Sequence, residues 1–410
     1  MRRVLIIAYY FPPLGGIGSL RAAKFASYLP TFGWEPTVIA PRNGAYYRDP
    51  TLSFDAARVI RTASFELSRW GKRLTSTRGG DTTPARVSGP LALVRDWART
   101  WLYFPDGQVG WYPFALRAAK KAVACARFDA VFSTSFPITA HLVAQRLSQS
   151  TRLPWIAEFR DPWAERIDPR SPRLHRAHDL QRRMLASAVA VVAPSPTWAD
   201  HFAANGARCV RVIPNGFDPC DLAPPERPHS LVITHLGTLY PGKQDLTPVW
   251  AALADLRRNG ALSELRLRFI GDLPAVAYAD LAAHGLADVT DATGFVTHGE
   301  ALRWLNASSL LLFAGPARAL AMDRGQIAAK VFEYLATGLP ILYVGDGTLD
   351  VVAILRTQPG CHLLEADDGV GIRRVIMQAR SEERSERKLE RYTREQLTLQ
   401  LAQLLDEVAL

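Results

Sequence analysis

The chain opens on VLIIAYYFPPLGGIGS (residues 4–19), an apolar run that breaks into a turn rich in proline and glycine. Apolar side chains without alternation over Val4–Tyr9 predict a strand that is buried on both faces, as in parallel sheets. Gly15 and Gly16 predict a tight turn whose backbone a ligand can approach closely. A helix beginning near Ser19 would point its free N–H groups at this turn and stabilise an anion there. The stretch therefore predicts a strand–turn–helix unit, with or without a ligand.

Short apolar strands recur along the chain, each followed by a turn of glycine, proline or serine and then by a helical stretch. Near-continuous apolar strands that alternate with helices predict parallel sheets covered on both faces, which is the α/β class. The predicted strands are Val4–Tyr9, Pro36–Ala40, Ala130–Thr134, Trp155–Phe159, Ala188–Ala193, Val210–Ile213, Leu231–Leu236, Leu265–Ile270, Leu310–Phe313 and Ile341–Val344.

A length of 410 residues is too great for one ordinary hydrophobic core and predicts two domains. The polar, proline-rich run Asp218–Pro228 marks a boundary, so we predict domains over residues 1–218 and 219–389. Residues from about 61 to 114 interrupt the strand–helix alternation and are rich in basic and aromatic side chains, which predicts an insertion. This insertion is either a set of helices covering the sheet or an element that contacts an acceptor substrate or a membrane surface.

Composition indicates a soluble globular protein, because 48% of the residues are hydrophobic and 21% are charged. The four cysteines are scattered, which argues against a disulfide scaffold and a structural zinc site and favours the cytoplasm. The first apolar run stops at Pro12, so we interpret it as a strand and not as a signal peptide. No apolar run reaches the ~18 residues of a membrane-spanning helix.

The formal net charge of +10 predicts attraction to anions, either nucleotide diphosphates or an anionic membrane surface, unless it serves solubility alone. We therefore predict a cytoplasmic protein and leave open a peripheral position at the inner face of the membrane. The basic residues are dispersed and belong to no nucleic-acid-binding motif, so we predict no nucleic-acid partner.

Ligands of open parallel sheets bind beyond the carboxyl ends of the strands, which selects the turns to inspect. His141 follows the strand that ends at Thr134, and it is either a structural histidine or a catalytic one. The next strand ends in charged residues, Glu158, Arg160 and Asp161, that are hard to explain as core. They form a structural ion pair, or Asp161 binds acceptor hydroxyl groups and assists their deprotonation.

The second half carries the strongest local signal, in RGQIAAKVFEYLATGLP (residues 324–340). Lys330 and Glu333 are three residues apart near the start of a predicted helix, so they share a face. An exposed pair of this kind contributes little stability, which favours a binding role. Lys330 can neutralise a diphosphate, and Glu333 can accept hydrogen bonds from ribose hydroxyl groups. Lys243, in the turn after the strand Leu231–Leu236, adds a second lysine.

Taken in order, these motifs resemble the retaining nucleotide-sugar glycosyltransferases of GT-B fold, glycosyltransferase family four. The resemblance spans nearly the whole chain. It is carried by YYFPPLGGIG (9–18), FRDPW (159–163), IPNGFD (213–218), GTLYPGK (237–243) and KVFEYLATGLP (330–340). It implies two Rossmann-like domains whose parallel sheets face a central cleft. It also implies that a C-terminal helix, residues about 390–410, packs back on the first domain.

The resemblance further implies a nucleotide-diphosphate sugar that lies mainly on the second domain, with no cofactor and no metal ion. Lys243 and Lys330 would stabilise the leaving diphosphate, and Glu333 would bind the ribose. Gly15 and Gly16 would touch the diphosphate or the transferred sugar. Retention would follow from front-face attack, in which the leaving phosphate takes the proton of the acceptor.

Two positions depart from the family pattern. The residue eight before Glu333, often glutamate in the family, is Gly325, so backbone N–H groups of Gly325 and Gln326 would replace that carboxylate. The residue after Gly237, often arginine, is Thr238, and Arg324 or Arg318 would supply the lost charge. Both departures concern the donor sugar more than the fold.

Two other functions share this architecture, a nucleotide-sugar 2-epimerase and a non-catalytic nucleotide-sugar binder. A dehydrogenase is disfavoured, because no acidic residue ends the second strand where an adenosine ribose would bind. The predicted partners are a nucleotide-diphosphate sugar and a glycan, lipid-linked or small-molecule acceptor. The motifs assign no oligomeric state.

Overall fold

The computed structural model describes residues 1–44, 48–52, 54–65, 103–222, 224–226, 228–262 and 264–409. The chain divides into two compact units. The N-terminal unit comprises Met1–Pro194, Trp198–Ile213 and Thr398–Leu410, and the C-terminal unit comprises Ser195–Thr197 and Pro214–Leu397.

The N-terminal unit is built on a sheet of seven parallel strands in the order β3-β2-β1-β4-β5-β6-β7. The chain order reverses between β1 and β4, the position where open parallel sheets bind ligands. The strands are β1 Arg2–Ile7, β2 Trp34–Pro41, β3 Val59–Thr62, β4 Ala130–Thr134, β5 Trp155–Glu158, β6 Ala190–Ala193 and β7 Val210–Val212. Most side chains of β1, β4, β5 and β6 are fully buried, which agrees with their near-continuous apolar sequence.

Helices cover this sheet and extend to the end of the chain. They are α1 Ile17–Tyr28, α2 Tyr112–Cys125, α3 Thr139–Thr151, α4 Leu174–Ser187, α5 Pro196–Ala204 and the last helix, α12 Arg394–Val408. The part of α12 from Thr398 onward belongs to the N-terminal unit. There the indole Nε1 of Trp34 donates a hydrogen bond of 2.9 Å to Asp406.

The C-terminal unit has a sheet of six parallel strands in the order β10-β9-β8-β11-β12-β13. The strands are β8 Leu231–Leu236, β9 Leu265–Ile270, β10 Thr290–Gly294, β11 Leu310–Ala314, β12 Ile341–Val344 and β13 Cys361–Leu364. The helices between them are α6 Thr247–Arg258, α7 Ala275–Ala283, α8 His298–Asn306, α9 Lys330–Ala336, α10 Asp350–Arg356 and α11 Gly369–Gln378.

The two parallel sheets confirm the predicted α/β class. The sequence missed β3, β10 and β13, three of the four edge strands, whose side chains are mostly only partly buried and whose apolar patterns are weak. Helix α1 begins at Ile17, two residues before the position expected near Ser19. The predicted start of the insertion, at about residue 61, is too early, because Arg61 lies in β3 and pairs with β2. Residues 66–102 of that insertion lie outside the described residues.

A buried ion pair connects α1 to the carboxyl end of β5. Arg21 and Glu158 are separated by 2.7 Å, and their side chains are 2% and 1% exposed. Arg21 also donates a hydrogen bond of 2.8 Å to the carbonyl oxygen of Ile213 and lies over the ring of Phe25. Removing one member of such a pair leaves an uncompensated charge in the core.

We predict that Arg21→Met lowers the free energy of unfolding by about 3 kcal/mol, because Glu158 stays buried without its partner. Arg211→Met is the matched control, since Arg211 pairs with Glu407 at 2.7 Å but both side chains are 52% exposed. That control should cost less than ~1 kcal/mol. Chemical denaturation of the full chain measures both changes, and equal losses would show that the buried pair has no special weight.

Candidate functional site

The loops that follow β8 and β11 in the C-terminal unit bound a cavity of about 370 Å³. Its charged lining residues are Lys243, Arg318, Lys330 and Asp323, so cations outnumber acids. Thr238, Gln326 and the aromatic ring of Phe313 also line it, with Tyr240, Gly242, Gln244, Ala314–Ala317, Leu320, Ala328, Leu349 and Val351. The cavity lies beyond the carboxyl ends of parallel strands, where the fold predicts a ligand.

Lys330, the first residue of α9, is held at the end of β8. Its ammonium donates a hydrogen bond of 2.6 Å to the carbonyl oxygen of Leu236 and lies 3.3 Å from Nε2 of His235. It also lies 5.3 Å from the centre of the Phe313 ring, within the range of a cation–π interaction. Burial lowers the pKa of Lys330 from 10.5 to about 7. The amine of Lys330 is therefore desolvated, and an anionic ligand would stabilise its charged form.

The ring of His235 is fixed by the neighbouring strand, β11. Nδ1 lies 3.0 Å from the carbonyl oxygen of Leu312, which can only accept, so Nδ1 carries the hydrogen. Nε2 then presents its lone pair to the Lys330 ammonium. Burial, followed by the charge of Lys330, lowers the pKa of His235 well below its ordinary 6.5, which keeps the ring neutral.

Helix α9 is seated by Tyr334, whose side chain is fully buried. Its hydroxyl accepts a hydrogen bond of 2.7 Å from the Leu236 backbone N–H and donates one of 3.3 Å to the Leu312 carbonyl oxygen. The same two residues, on β8 and β11, therefore contact both Tyr334 and the Lys330–His235 pair. Gly237, with φ of +100°, turns the chain away directly after β8, and a Cβ there would lie 3.5 Å from the Lys330 ammonium.

Glu333 is buried one helical turn after Lys330 and contacts a histidine instead of the lysine. Its Oε1 lies 2.8 Å from Nε2 of His298, the first residue of α8. A capping box fixes the start of α8, in which Thr297 and Glu300 each accept from the other's backbone N–H. The two charges that the sequence places on one helix thus have separate histidine partners.

The loop after β8 carries Lys243 and Thr238 to the cavity. The Lys243 carbonyl oxygen accepts a hydrogen bond of 2.8 Å from the Ala317 N–H, which joins this loop to the one after β11. Gln244 adds a second link, donating to the Ala314 carbonyl oxygen at 2.9 Å. Lys243 is exposed and also lines a neighbouring cavity of about 430 Å³ against α7.

Arg318 and Arg324, the two candidates to supply the charge missing at Thr238, differ in whether they line the cavity. The described lining residues include Arg318 and do not include Arg324, which is exposed on the turn Asp323–Gly325. The backbone N–H of Gln326 is already bonded to the Asp323 carbonyl oxygen at 2.9 Å. This pairing contradicts the expectation that the Gln326 N–H is free for a ligand, because the tight turn uses that donor. Gln326 contributes to the cavity lining, and Gly325 itself is buried.

In the N-terminal unit, the glycine turn stands directly before α1. Gly15 is buried and Gly16 is exposed with φ of +84°, and the Gly16 carbonyl oxygen accepts from the N–H groups of Ser19 and Leu20. The guanidinium of Arg160 lies against Gly18 and leaves no room for a Cβ there. Arg160 Nε donates to the Ser135 carbonyl oxygen, which fixes its direction.

The charged residues after β5 divide between two pairs. Glu158 pairs with Arg21, and Asp161 pairs with Arg166 at 2.8 Å, while both carboxylates also interact electrostatically with Arg160 from a greater distance. Asp161 is partly exposed and can still meet a ligand. Its predicted contact with acceptor hydroxyl groups stays a prediction.

His141 lies in the core of the N-terminal unit and is fully buried. Its Nδ1 is 2.7 Å from the Ser133 hydroxyl, and its ring centre is 4.3 Å from that of Phe159. Burial and the charge of Arg160 lower the pKa of His141 to about 3. The structure thus places it as a neutral core residue, which favours the structural alternative over contact with a substrate.

The sequence interpretation missed His235 and His298 as members of these sites, and it gave Arg160 no role beyond an ion pair. A histidine inside the apolar strand Leu231–Leu236 was the available signal for His235, because a buried polar group needs partners. His298 follows a helix-capping threonine, and only the tertiary structure shows that it meets Glu333.

Two general features complete the description. Among the described residues, one group of candidate metal ligands lies close together, Asp218, Cys220 and Asp221. No helix in the described ranges combines the length and the apolar character needed to cross a membrane.

Comparison with family models matches residues 18–220 to Glycosyltransferase Family 4. None of the curated proteins shows a significant sequence match to the chain.

Solved structures match over nearly the full length. Sucrose-phosphate synthase from Thermosynechococcus elongatus is 13% identical, with a TM-score of 0.61 and 99% of each chain covered. HepE from Anabaena, in complex with UDP, is 15% identical, with a TM-score of 0.58, covering 99% of this chain and 100% of that one. WaaG, a glycosyltransferase of lipopolysaccharide biosynthesis, is 13% identical, with a TM-score of 0.56, covering 99% and 95%. At these identities the likeness concerns the fold.

We predict that Lys330 deprotonates near pH 7 in the ligand-free protein, because burial disfavours its charged form. The pH dependence of its acylation, followed by mass spectrometry of the modified peptide, measures this midpoint. The same residue in the denatured chain is the control and should titrate near its ordinary pKa of 10.5. An acylation midpoint that is the same in the folded and the denatured protein would contradict the desolvation of Lys330.

Proposed function

We propose that the protein is a glycosyltransferase whose donor is a nucleotide-diphosphate sugar, because residues 18–220 match the Glycosyltransferase Family 4 model and the whole chain shares the GT-B fold. The acceptor in this proposal is a hydroxyl group of a glycan, a lipid-linked sugar or a small molecule. Transfer proceeds with retention of configuration and without a metal ion. A cytoplasmic location, with contact at the inner membrane face for a lipid-linked acceptor, belongs to the same proposal.

The observation that carries the proposal is the Lys330 ammonium in its partly desolvated seat beside the cavity. Lys243 and Arg318 line the same cavity, and Asp323 is its one described acidic lining residue. A diphosphate supplies the negative charge that such a cavity lacks, and electrostatic attraction is strong where water is displaced. Charge developing on the leaving diphosphate would be stabilised by the same cations without a divalent ion.

Glu333 supports the nucleoside part of the donor. His298 contacts Oε1, and a carboxylate has a second oxygen that can accept a hydrogen bond from a ribose hydroxyl. Gln326 and Thr238, which line the cavity, would contact the transferred sugar or the diphosphate. Because Gly325 has no side chain, this loop would recognise less of the transferred sugar than a glutamate at the same position, the family pattern, would.

In the proposed step, the bond between the anomeric carbon and the diphosphate oxygen breaks while the acceptor oxygen bonds to the same face of that carbon. The acceptor proton passes to the released diphosphate, so no side-chain nucleophile is required. Gly15 and Gly16 would touch the donor phosphate or sugar, and Asp161 would orient the acceptor. His141 is assigned no contact with substrate, since its ring is fully buried.

We predict that Lys330→Met and Glu333→Gln each reduce transfer at least ~100-fold, because each removes a charged contact to the donor. A thermal-shift panel of nucleoside diphosphates and their sugars first identifies the donor, since a ligand at 100 times its dissociation constant stabilises by ~2.7 kcal/mol. Transfer is then measured with that donor. Lys388→Met and Glu386→Gln, at exposed positions of the same unit, are matched controls.

Near-normal turnover of either site variant would refute the site assignment. Epimerised nucleotide sugar without transfer would identify the enzyme as an epimerase. Tight nucleotide binding with neither reaction would identify a non-catalytic binder.

Transfer should persist in excess EDTA, because lysine and arginine side chains, and no divalent ion, neutralise the diphosphate in this proposal. Initial rates with and without chelator measure this, after the protein has been dialysed against EDTA. Loss of activity that Mg²⁺ or Mn²⁺ restores would contradict metal-independent transfer.

A further inference from the structure

We propose that His235 is a positioning residue, which holds the Lys330 ammonium at the end of β8 in the orientation that meets the donor diphosphate. This inference rests on the proposed function, because it takes Lys330 as the group that binds the diphosphate. His235 itself is 1% exposed and would act only through Lys330.

The histidine ring is immobilised by the two strands on either side of β8. Nδ1 is bonded to the Leu312 carbonyl oxygen of β11 at 3.0 Å. The ring centre also lies 6.3 Å from that of Phe269, on β9. The lone pair of Nε2 therefore has a fixed direction toward the Lys330 ammonium, and the backbone of Thr238 also contacts the ring.

A lysine side chain is long and flexible, and its ammonium can adopt many positions unless hydrogen bonds select one. At Lys330 the Leu236 carbonyl oxygen, the His235 lone pair and the Phe313 ring select that position together. An ammonium that is already ordered loses less entropy when a ligand binds, which is the general advantage of preorganisation.

A neutral acceptor suits this position better than a carboxylate would. A carboxylate would neutralise the ammonium and compete with the diphosphate, whereas an imidazole lone pair orients the ammonium and leaves its charge available. Burial and the Lys330 charge keep the pKa of His235 far below 6.5. The charged residues described as lining the cavity with Lys330 are Lys243, Arg318 and Asp323, and Glu333 follows one turn later on α9.

Two amide variants separate the contacts of the ring. The terminal atoms of asparagine are attached at Cγ, as Nδ1 is, so His235→Asn keeps a donor for Leu312 and loses the acceptor for Lys330. The terminal atoms of glutamine lie one bond further, as Nε2 does, so His235→Gln restores the acceptor. Calorimetry with UDP and GDP at neutral pH should show about 10-fold weaker binding for His235→Asn and less than about 3-fold for His235→Gln.

The Lys330→Met background tests whether the effect passes through the lysine. The penalty of His235→Asn should disappear there, as expected for two residues in one interaction. An undiminished penalty, equal penalties for the two amides, or a larger penalty for glutamine would overturn the proposal in favour of a purely structural histidine.

Acylation of Lys330 without nucleotide separates this inference from the proposed function. Loss of the acceptor in His235→Asn should move the Lys330 midpoint below that of the wild type, and His235→Gln should restore it, because the hydrogen bond favours the charged amine. An unchanged midpoint in His235→Asn would refute the coupling. If no nucleoside diphosphate of the panel binds to the wild type while the midpoint shift is still present, the coupling is supported and the proposed nucleotide donor is overturned.

Discussion

The site of the C-terminal unit depends on one hydrogen bond, from the Lys330 ammonium to the Leu236 carbonyl oxygen at the last residue of β8. To form it, α9 must start at Lys330, the Tyr334 hydroxyl must join β8 to β11, and the chain must turn away at Gly237. The bond removes a charge from water, and the lowered pKa of Lys330 records that cost. Binding of an anion offsets the cost and stabilises the charged form of Lys330.

The N-terminal unit also removes a cation from water, but that cation has a charged partner. Arg21 meets its counter-ion Glu158 inside the core, so its charge is already compensated. The Arg160 guanidinium lies against Gly18 at the start of α1, beside the glycine turn that the sequence singles out. The Arg21 charge is thus matched by a carboxylate inside the core, whereas the Lys330 ammonium is held by neutral groups and keeps its charge available for a ligand.

The sequence predicted the two parallel sheets because buried parallel strands are long apolar runs, and four of the predicted strands, such as Ala130–Thr134, have the observed bounds. Three of the four edge strands were missed, because their side chains are mostly only partly buried and their apolar patterns are weak. Lys330 and Glu333 were found from their spacing on one helix. Their histidine partners could not be found in that way, because His235 is 95 residues from Lys330 and His298 is 35 from Glu333. The buried position of His141 likewise depends on tertiary packing.

A crystal structure of the protein with a bound nucleoside diphosphate tests the central claim most directly. The account predicts that a diphosphate oxygen lies about 3 Å from the Lys330 ammonium, with the Leu236 and His235 contacts retained. A diphosphate bound away from Lys330, with the ammonium still facing only Leu236 and His235, would contradict it.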